Sequence, residues 1–179
     1  MRFCVLFILT FLVAVVCDVA AKDKQNTVSS EQVHFSAEDA GVKRPVSIPK
    51  DVLEILAQDE TVQSELEDEN IRPQNIPSSW FSASAIHLTT SGKNDLVVVG
   101  QPPVSGGNVA LFWIFSATSR GYRTVLMAPA HDLVIEKKYW NHYKEIELLS
   151  ATAEVVSTVL CRFDGTEYKV YKSQSRPIQ

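Results

Sequence analysis

The side chains whose chemistry could be catalytic are few: His34, His87, His131, His142 and Cys161. A histidine could act as the general base that activates a cysteine nucleophile. Cys161, however, alternates with Val159 and Phe163 along a predicted strand, so we expect a buried apolar thiol. His131 precedes Asp132, but neighbours on a strand point to opposite faces, so we expect no direct pair between them. These residues predict no catalytic site.

Metal and phosphate sites are also not predicted. No two histidines are four residues apart, and the chain has no C-x-x-C motif, so the usual zinc spacings are missing from the sequence. The loop 102–108 contains two adjacent glycines, but a phosphate-binding loop is followed by a helix and usually includes a lysine. A strand is predicted after this loop, so we expect neither a metal nor another cofactor.

One segment has the composition of a binding loop. Tyr139, Trp140, His142 and Tyr143 surround Asn141 between two predicted strands. Aromatic side chains on loops are common where proteins bind partners or ligands. These four residues are the predicted binding site. The alternative interpretation is that Trp140 and Tyr143 fold back over the end of the sheet.

The elements that position this segment are predicted to be strands. Apolar alternation and turn residues predict eight of them over 81–88, 95–100, 109–115, 122–127, 133–136, 144–150, 157–163 and 167–172. The pair Asp164–Gly165 predicts a tight hairpin before the last strand. Lys169 and Lys172 in that strand would discourage pairing with another chain, as is typical of an edge strand.

A helical segment is predicted before the strands, over 47–70. Val52, Leu56 and Leu66 recur at helical spacing, and a polar interruption near Gln58–Asp59 predicts two short helices or one kinked helix. The runs 96–99 and 110–115 are apolar on both faces of their strands, so each requires cover on two sides. We expect the helical segment to cover one side.

The strands also suggest an internal repeat. Residues 96–98 match 146–148, and residues 113–115 match 161–163, at spacings of about fifty residues. The fold class predicted is therefore mostly β within α+β: an antiparallel meander of about eight strands with one or two N-terminal helices. The alternatives left open are two four-stranded, blade-like units and an ordinary meander that resembles itself.

The N-terminal residues predict export. Arg2, an apolar run over 3–16 and the small residues Ala20 and Ala21 are typical of a signal peptide over 1–21. A retained anchor and a lipid on Cys17 are the alternatives, but the apolar run is short for a membrane span. Residues 22–46 are polar and predict a flexible tether. The predicted domain covers 47–173 and the tail 174–179, with a secreted or periplasmic location and no transmembrane segment after cleavage.

Charge is unevenly distributed along the chain. Residues 22–92 have a net charge of −6, largely from 51–69, whereas residues 93–179 have a net charge of +2. The acidic run is interpreted as a solvated helix face. The sequence has no basic stripe of the kind that binds phosphate backbones, which argues against a nucleic-acid partner.

Three runs resemble known proteins: 80–88 (WFSASAIHL), 93–100 (KNDLVVVG) and 162–168 (RFDGTEY). Together they resemble a group of uncharacterised bacterial exported proteins, which implies an extracytoplasmic location and no known activity. The strand–turn–strand units also resemble FG-GAP (VCBS-type) propeller repeats. Those repeats bind calcium through aspartate-rich loops, whereas Asp95 and Asp164 are single carboxylates here, so the calcium role does not transfer.

These observations favour an exported, non-catalytic binding module of the bacterial envelope whose partner is another envelope or secreted protein. The sequence is also compatible with two alternatives. One is a cell-envelope hydrolase with a site that no motif shows, and the other is a small inhibitor that inserts a loop into a secreted enzyme. A deep polar pocket with convergent titratable groups would favour the hydrolase, and an exposed aromatic loop would favour binding or inhibition.

Overall fold

The computed structural model describes residues 31–38 and 41–178. The predicted signal peptide and the first part of the predicted tether lie outside them. The elements are β1 (His34–Ser36), α1 (Lys50–Leu56), α2 (Glu60–Asp68), β2 (Phe81–Ile86), β3 (Asp95–Gly100), β4 (Ala110–Thr118), β5 (Gly121–Ala130), β6 (Asp132–Trp140), β7 (Tyr143–Ala151), β8 (Val155–Phe163) and β9 (Tyr168–Pro177). Two short 3-10 turns, Pro73–Asn75 and Ser78–Trp80, connect α2 to β2.

The strands form two antiparallel sheets. The four-stranded sheet has the order β2-β3-β4-β5, and the five-stranded sheet has the order β1-β6-β7-β8-β9. Each sheet contains a meander in which strands that are consecutive in the chain are neighbours in space. The mostly β, antiparallel fold class is confirmed, and the eight predicted strands fall into two consecutive four-stranded units.

The main core lies between the two sheets. Val97 and Phe112 from the four-stranded sheet join Leu133 and Ile146 from the five-stranded sheet in one buried cluster. A second cluster lies on the other face of the four-stranded sheet, because residues of β3 and β4 alternate between the two sides. Both strands are therefore buried on two faces, as their continuous apolar runs predict.

The two helices provide the outer layer of the four-stranded sheet. Val52, Leu56 and Leu66 are buried against Leu96 and Trp113 in the second cluster. Asp59 separates the helices and begins α2, since its side chain accepts a hydrogen bond from the Thr61 amide. The predicted break near this residue is confirmed, and the layer order is helices, four-stranded sheet, five-stranded sheet.

The acidic run is only partly a solvated helix face. Glu54, Glu67 and Asp68 are exposed. The Asp51 carboxylate instead accepts a hydrogen bond from the Tyr122 amide, and Asp59 accepts one from the Trp113 indole at 3.0 Å. These two carboxylates attach the helical layer to β5 and β4.

Two terminal predictions differ from the structure. The segment 22–46 was expected to be a flexible tether, yet His34–Ser36 pairs with β6 and the Phe35 ring is fully buried in the main core. The segment 174–179 was expected to be a tail, yet β9 continues through Pro177 and pairs with β8 along its length. In both cases main-chain pairing holds a segment whose polar composition does not predict a strand.

In the described part of the chain, no helix is long and apolar enough to span a bilayer. The hairpin predicted at Asp164–Gly165 is present between β8 and β9. Gly165 has φ of +113°, which a glycine adopts without strain, and Asp164 accepts hydrogen bonds from the amides of Thr166 and Glu167. This turn brings β9 beside β8 and so forms one edge of the five-stranded sheet.

Candidate binding surface

The predicted aromatic segment is the tip of the β6–β7 hairpin. Only Asn141 and His142 form its turn, with φ of +48° and +67°. Two consecutive residues of positive φ are typical of the two-residue type I′ turn, which matches the twist of the flanking strands. Trp140 and Tyr143 are therefore paired strand residues rather than members of a loop.

The structure separates the four predicted site residues into two groups. Tyr139 and Trp140 are exposed, at 42% and 46%, and His142 is exposed at the turn. Tyr143 is half-buried and stacks on Phe163 with 3.8 Å between ring centroids, so it supports the main core. Of the two rings in the alternative interpretation, Tyr143 therefore packs onto the core, whereas Trp140 stays half exposed.

Trp140 does not project alone into solvent, because Arg162 lies between it and Tyr171. The guanidinium carbon is 4.4 Å from the centroid of a Trp140 ring and 3.4 Å from the Tyr171 ring centroid. A cation within about 6 Å of an aromatic face is attracted by the negative face of the ring. Strands β6, β8 and β9 thus build one aromatic–arginine stack, which we call the Trp140–Arg162–Tyr171 surface.

A buried carboxylate fixes the arginine in this position. Glu145 of β7 has a side chain only 3% exposed, and its Oε1 accepts a hydrogen bond from Arg162 Nε at 2.5 Å. Lys138 Nζ lies 3.9 Å from the other carboxylate oxygen. An ion pair with one fully desolvated partner holds the guanidinium plane firmly, which in turn orients the two rings.

An open groove of about 510 Å³ lies along this surface. Trp140, Arg162 and Tyr171 form part of its wall together with Lys169 and Val170. Val170 is 66% exposed and Tyr171 is 58% exposed. Tryptophan, tyrosine and arginine, three of the residue types in this wall, are the types most enriched in protein-binding hot spots.

Sequence reasoning missed Arg162 and Tyr171. Strand alternation places Arg162 on the face of β8 away from the buried Cys161 and Phe163, so an outward position for it could be inferred. The position of Tyr171 could not be inferred in this way, because the register of β8 and β9 shifts between Leu160 and Cys161. That bulge leaves Tyr171 without a strand partner and turns it towards Arg162.

A second group of titratable residues surrounds the connection from β5 to β6. His131 Nδ1 lies 3.3 Å from Asp132 Oδ2, and His131 Nε2 lies 3.3 Å from Glu38 Oε1. His34 Nε2 lies 3.2 Å from Asp132 Oδ1. The expectation that His131 and Asp132 do not pair is wrong, because His131 lies between the two strands and strand alternation does not apply to it.

These contacts shift two pKa values. The hydrogen bond to Asp132 raises the pKa of His131 above its ordinary value, although burial opposes this and Glu38 adds to it. Burial raises the pKa of Asp132, but hydrogen bonds from Ser36, His131 and His34 outweigh burial and hold that pKa below its usual range. The group therefore joins β1 to β6.

His87 also contacts a carboxylate of the N-terminal segment, that of Glu31. Its amide donates to Glu31, and its Nδ1 lies 3.7 Å from a Glu31 carboxylate oxygen. Lys144 Nζ lies 3.2 Å from the same carboxylate. The N-terminal segment is therefore tied to the domain by carboxylate contacts at Glu31 and at Glu38.

Asp95 and Asp164, the two aspartates compared with the propeller repeats, both accept hydrogen bonds from backbone amides. Asp95 is buried, and its two oxygens accept hydrogen bonds from the amides of Leu88 and Ala117. Asp164 accepts the amides of its own turn. In the residues that the structure describes, no three side chains of the metal-binding types are grouped to hold an ion.

Cys161 is 2% exposed in the main core beside Phe163, as its alternation predicts. Burial raises the pKa of its thiol, which disfavours the thiolate that a nucleophile or metal ligand requires.

No protein-family model matches this chain, and searches of curated proteins and of solved structures find no similar protein.

Proposed function

We propose that this protein is an exported, non-catalytic binding module that recognises another envelope or secreted protein through the Trp140–Arg162–Tyr171 surface. The observation that carries the proposal is the position of Arg162 between two solvent-exposed rings. Tryptophan, tyrosine and arginine are the residues most enriched at the energetic centres of protein interfaces. The export and envelope components rest on the apolar N-terminal run and the resemblance of three sequence segments.

Preorganisation favours binding at this surface. Ordering a side chain on association costs about 0.5–1.5 kcal/mol, and that cost is smaller for groups already held in one conformation. Glu145 fixes Arg162 before any partner arrives, and Arg162 in turn supports both rings. The strands beneath are paired on both sides from β6 to β8. A partner would therefore meet a rigid surface.

The site is tested by measuring the affinity for a partner in the wild type and in variants that lack its aromatic side chains. A photo-reactive residue at Val170, which is 66% exposed beside the surface, captures the partner from a periplasmic or secreted fraction, and calorimetry with the purified partner gives the affinity. We expect Trp140→Ala and Tyr171→Ala each to weaken binding by at least tenfold, equivalent to about 1.4 kcal/mol. Met127→Ala is the matched control, because Met127 is 46% exposed on the four-stranded sheet.

The other two function classes give different results in this experiment. Unchanged affinity in both aromatic variants would contradict the proposed site. A captured enzyme whose activity falls on binding would identify the protein as an inhibitor acting through the same surface. Conversion of a bound substrate by the protein itself, with Trp140→Ala still active, would favour the hydrolase alternative.

A further inference from the structure

Strand β9 has a free edge beside the binding surface. It is the last strand of the five-stranded sheet, ten residues long, and every residue of it after Tyr168 is exposed. On its side away from β8, no strand of the described chain pairs with it. Main-chain groups along that side are therefore available to an additional strand.

The charge of this edge is of one sign. β9 contains Lys169, Lys172 and Arg176 and no acidic residue, and β8 contributes Arg162 and no acidic residue. Of the neighbouring carboxylates, Asp164 and Glu167 are in the turn that joins the two strands, Glu154 directly precedes β8, and Glu147 of β7 lines a pocket with Arg176. The Glu167 carboxylate pairs with Lys169, which leaves Lys172 and Arg176 as the cations of the remaining edge.

A second copy of this chain would bring like charges together on that edge in one register. In an antiparallel pairing of two β9 strands, the register centred between Lys172 and Ser173 places Lys169 of one copy opposite Arg176 of the other. Like charges that lie directly opposite on paired strands are destabilising. In this register two copies repel each other, whereas a partner strand that carries carboxylates would be attracted by the same cations.

The apolar part of the surface adjoins the same edge. Val170 and Tyr171 belong to β9 and line the groove that also contains Trp140. Side chains of an added strand alternate between the two faces of the sheet. One apolar side chain in such a strand would enter the groove while neighbouring carboxylates approach the lysines.

We propose that the partner presents an extended acidic segment that adds to β9 as a sixth strand and places one apolar side chain in the groove. This inference rests on the proposed function and specifies its partner. Main-chain hydrogen bonds would supply affinity, as in other cases of strand addition, and the cations and groove would supply selectivity.

The test uses the whole protein and two synthetic peptides. The acidic probe is a capped nine-residue peptide in which glutamates alternate with valines around a central tyrosine, and the control peptide replaces each glutamate with lysine. We expect the acidic peptide to slow hydrogen exchange at the amides of β9, with an affinity at least tenfold higher than that of the lysine peptide. Trp140 is far more exposed than Trp80 and Trp113, so reduced acrylamide quenching of its fluorescence reports the filling of the groove.

Reversing charges on β9 and, separately, at a distant exposed position distinguishes binding at this edge from attraction by the overall charge of the protein. The double variant Lys172→Glu with Arg176→Glu should bind the acidic peptide at least tenfold more weakly, whereas Arg120→Glu, in the exposed β4–β5 turn, should leave the affinity unchanged. Equal binding of both peptides, or no binding of the acidic one, would overturn the inference.

The same experiment distinguishes the inference from the proposed function. Protection of β9 amides with full affinity in Trp140→Ala would support strand addition and reject the aromatic surface. Loss of binding in Trp140→Ala without protection of β9 would reject strand addition and leave the aromatic surface as the site.

Discussion

His131 and Asp132 are neighbours in the chain and pair directly, with 3.3 Å between the imidazole Nδ1 and the carboxylate Oδ2. The pair lies where the chain leaves the four-stranded sheet and enters the five-stranded sheet. Asp132 also faces His34 of β1, and His131 also faces Glu38 just beyond β1. These titratable side chains thus join the N-terminal segment to the rest of the fold. The stability of the protein should therefore depend on their protonation.

We expect the contribution of His131 to stability to be lost as the pH rises. Its folded-state pKa is raised above 6.5, so the protonated form favours the folded state. That contribution is complete below pH 6.5 and disappears as the pH passes the folded-state pKa. Asp132 has a lowered pKa, so its contribution is present above pH 3.8 and is lost as the pH falls through the folded-state value. The free energy of unfolding from urea titrations between pH 5 and pH 8.5 measures the His131 dependence.

The matched variants are His131→Asn and His142→Asn. Relative to the wild type, His131→Asn should be less stable at pH 5.5 and should approach the wild type above pH 8. His142→Asn keeps a residue that tolerates positive φ at the hairpin turn and should follow the wild-type curve. Parallel curves for the wild type and His131→Asn would show that the pair does not link protonation to folding.

Phe35 tests whether the N-terminal segment is part of the domain. Its ring is fully buried, so Phe35→Ala should lower the free energy of unfolding by about 3–5 kcal/mol, the usual cost of removing a core phenylalanine. Val33→Ala is the control, since Val33 is 39% exposed two residues earlier. Chemical denaturation measures both. A loss below 1 kcal/mol in Phe35→Ala would mean that the segment is not part of the folded domain in solution.

Sequence patterns predicted the strands and helices whose own residues form apolar faces. They missed the segments that become strands only by pairing with a neighbouring strand. The runs in β3 and β4 are apolar on both sides and require two layers, so the helical cover followed from the residues themselves. Phe35 is the only aromatic residue in its mostly polar segment. The segment forms a strand because it pairs with β6 and because the main core accepts the Phe35 ring. The binding surface was half predicted for the same reason: Trp140 is locally conspicuous, whereas Arg162 and Tyr171 reach it only through strand pairing and a bulge.

Asp59 joins two roles that a substitution can separate. Its Oδ1 accepts the Thr61 amide as the N-cap of α2, and its Oδ2 accepts the Trp113 indole N–H. Asp59→Ala removes both hydrogen bonds and should lower the free energy of unfolding by about 2 kcal/mol, the sum of a cap and one side-chain hydrogen bond. Trp113→Phe leaves the cap in place but also removes core volume, so Asp59→Asn is the better comparison.

Asp59→Asn keeps one carbonyl oxygen for the cap and loses the second acceptor, so its loss should be about half that of Asp59→Ala. Glu67→Ala, at an exposed position in the last turn of α2, is the control and should change stability by less than 0.5 kcal/mol. Equal losses in Asp59→Ala and Asp59→Asn would indicate that the Trp113 hydrogen bond carries the whole effect.

Arg162 and Glu145 should show strong coupling in a double-mutant cycle. Arg162→Met leaves a carboxylate that is 3% exposed with only the Lys138 ammonium, 3.9 Å from its other oxygen, so we expect a cost of about 3 kcal/mol. Glu145→Leu alone leaves a guanidinium that still stacks on two half-exposed rings, so that variant should lose less. The double variant replaces the pair with apolar groups and should recover most of the loss of Arg162→Met. Chemical denaturation of the four proteins gives the coupling energy, and additive losses would contradict a direct pair.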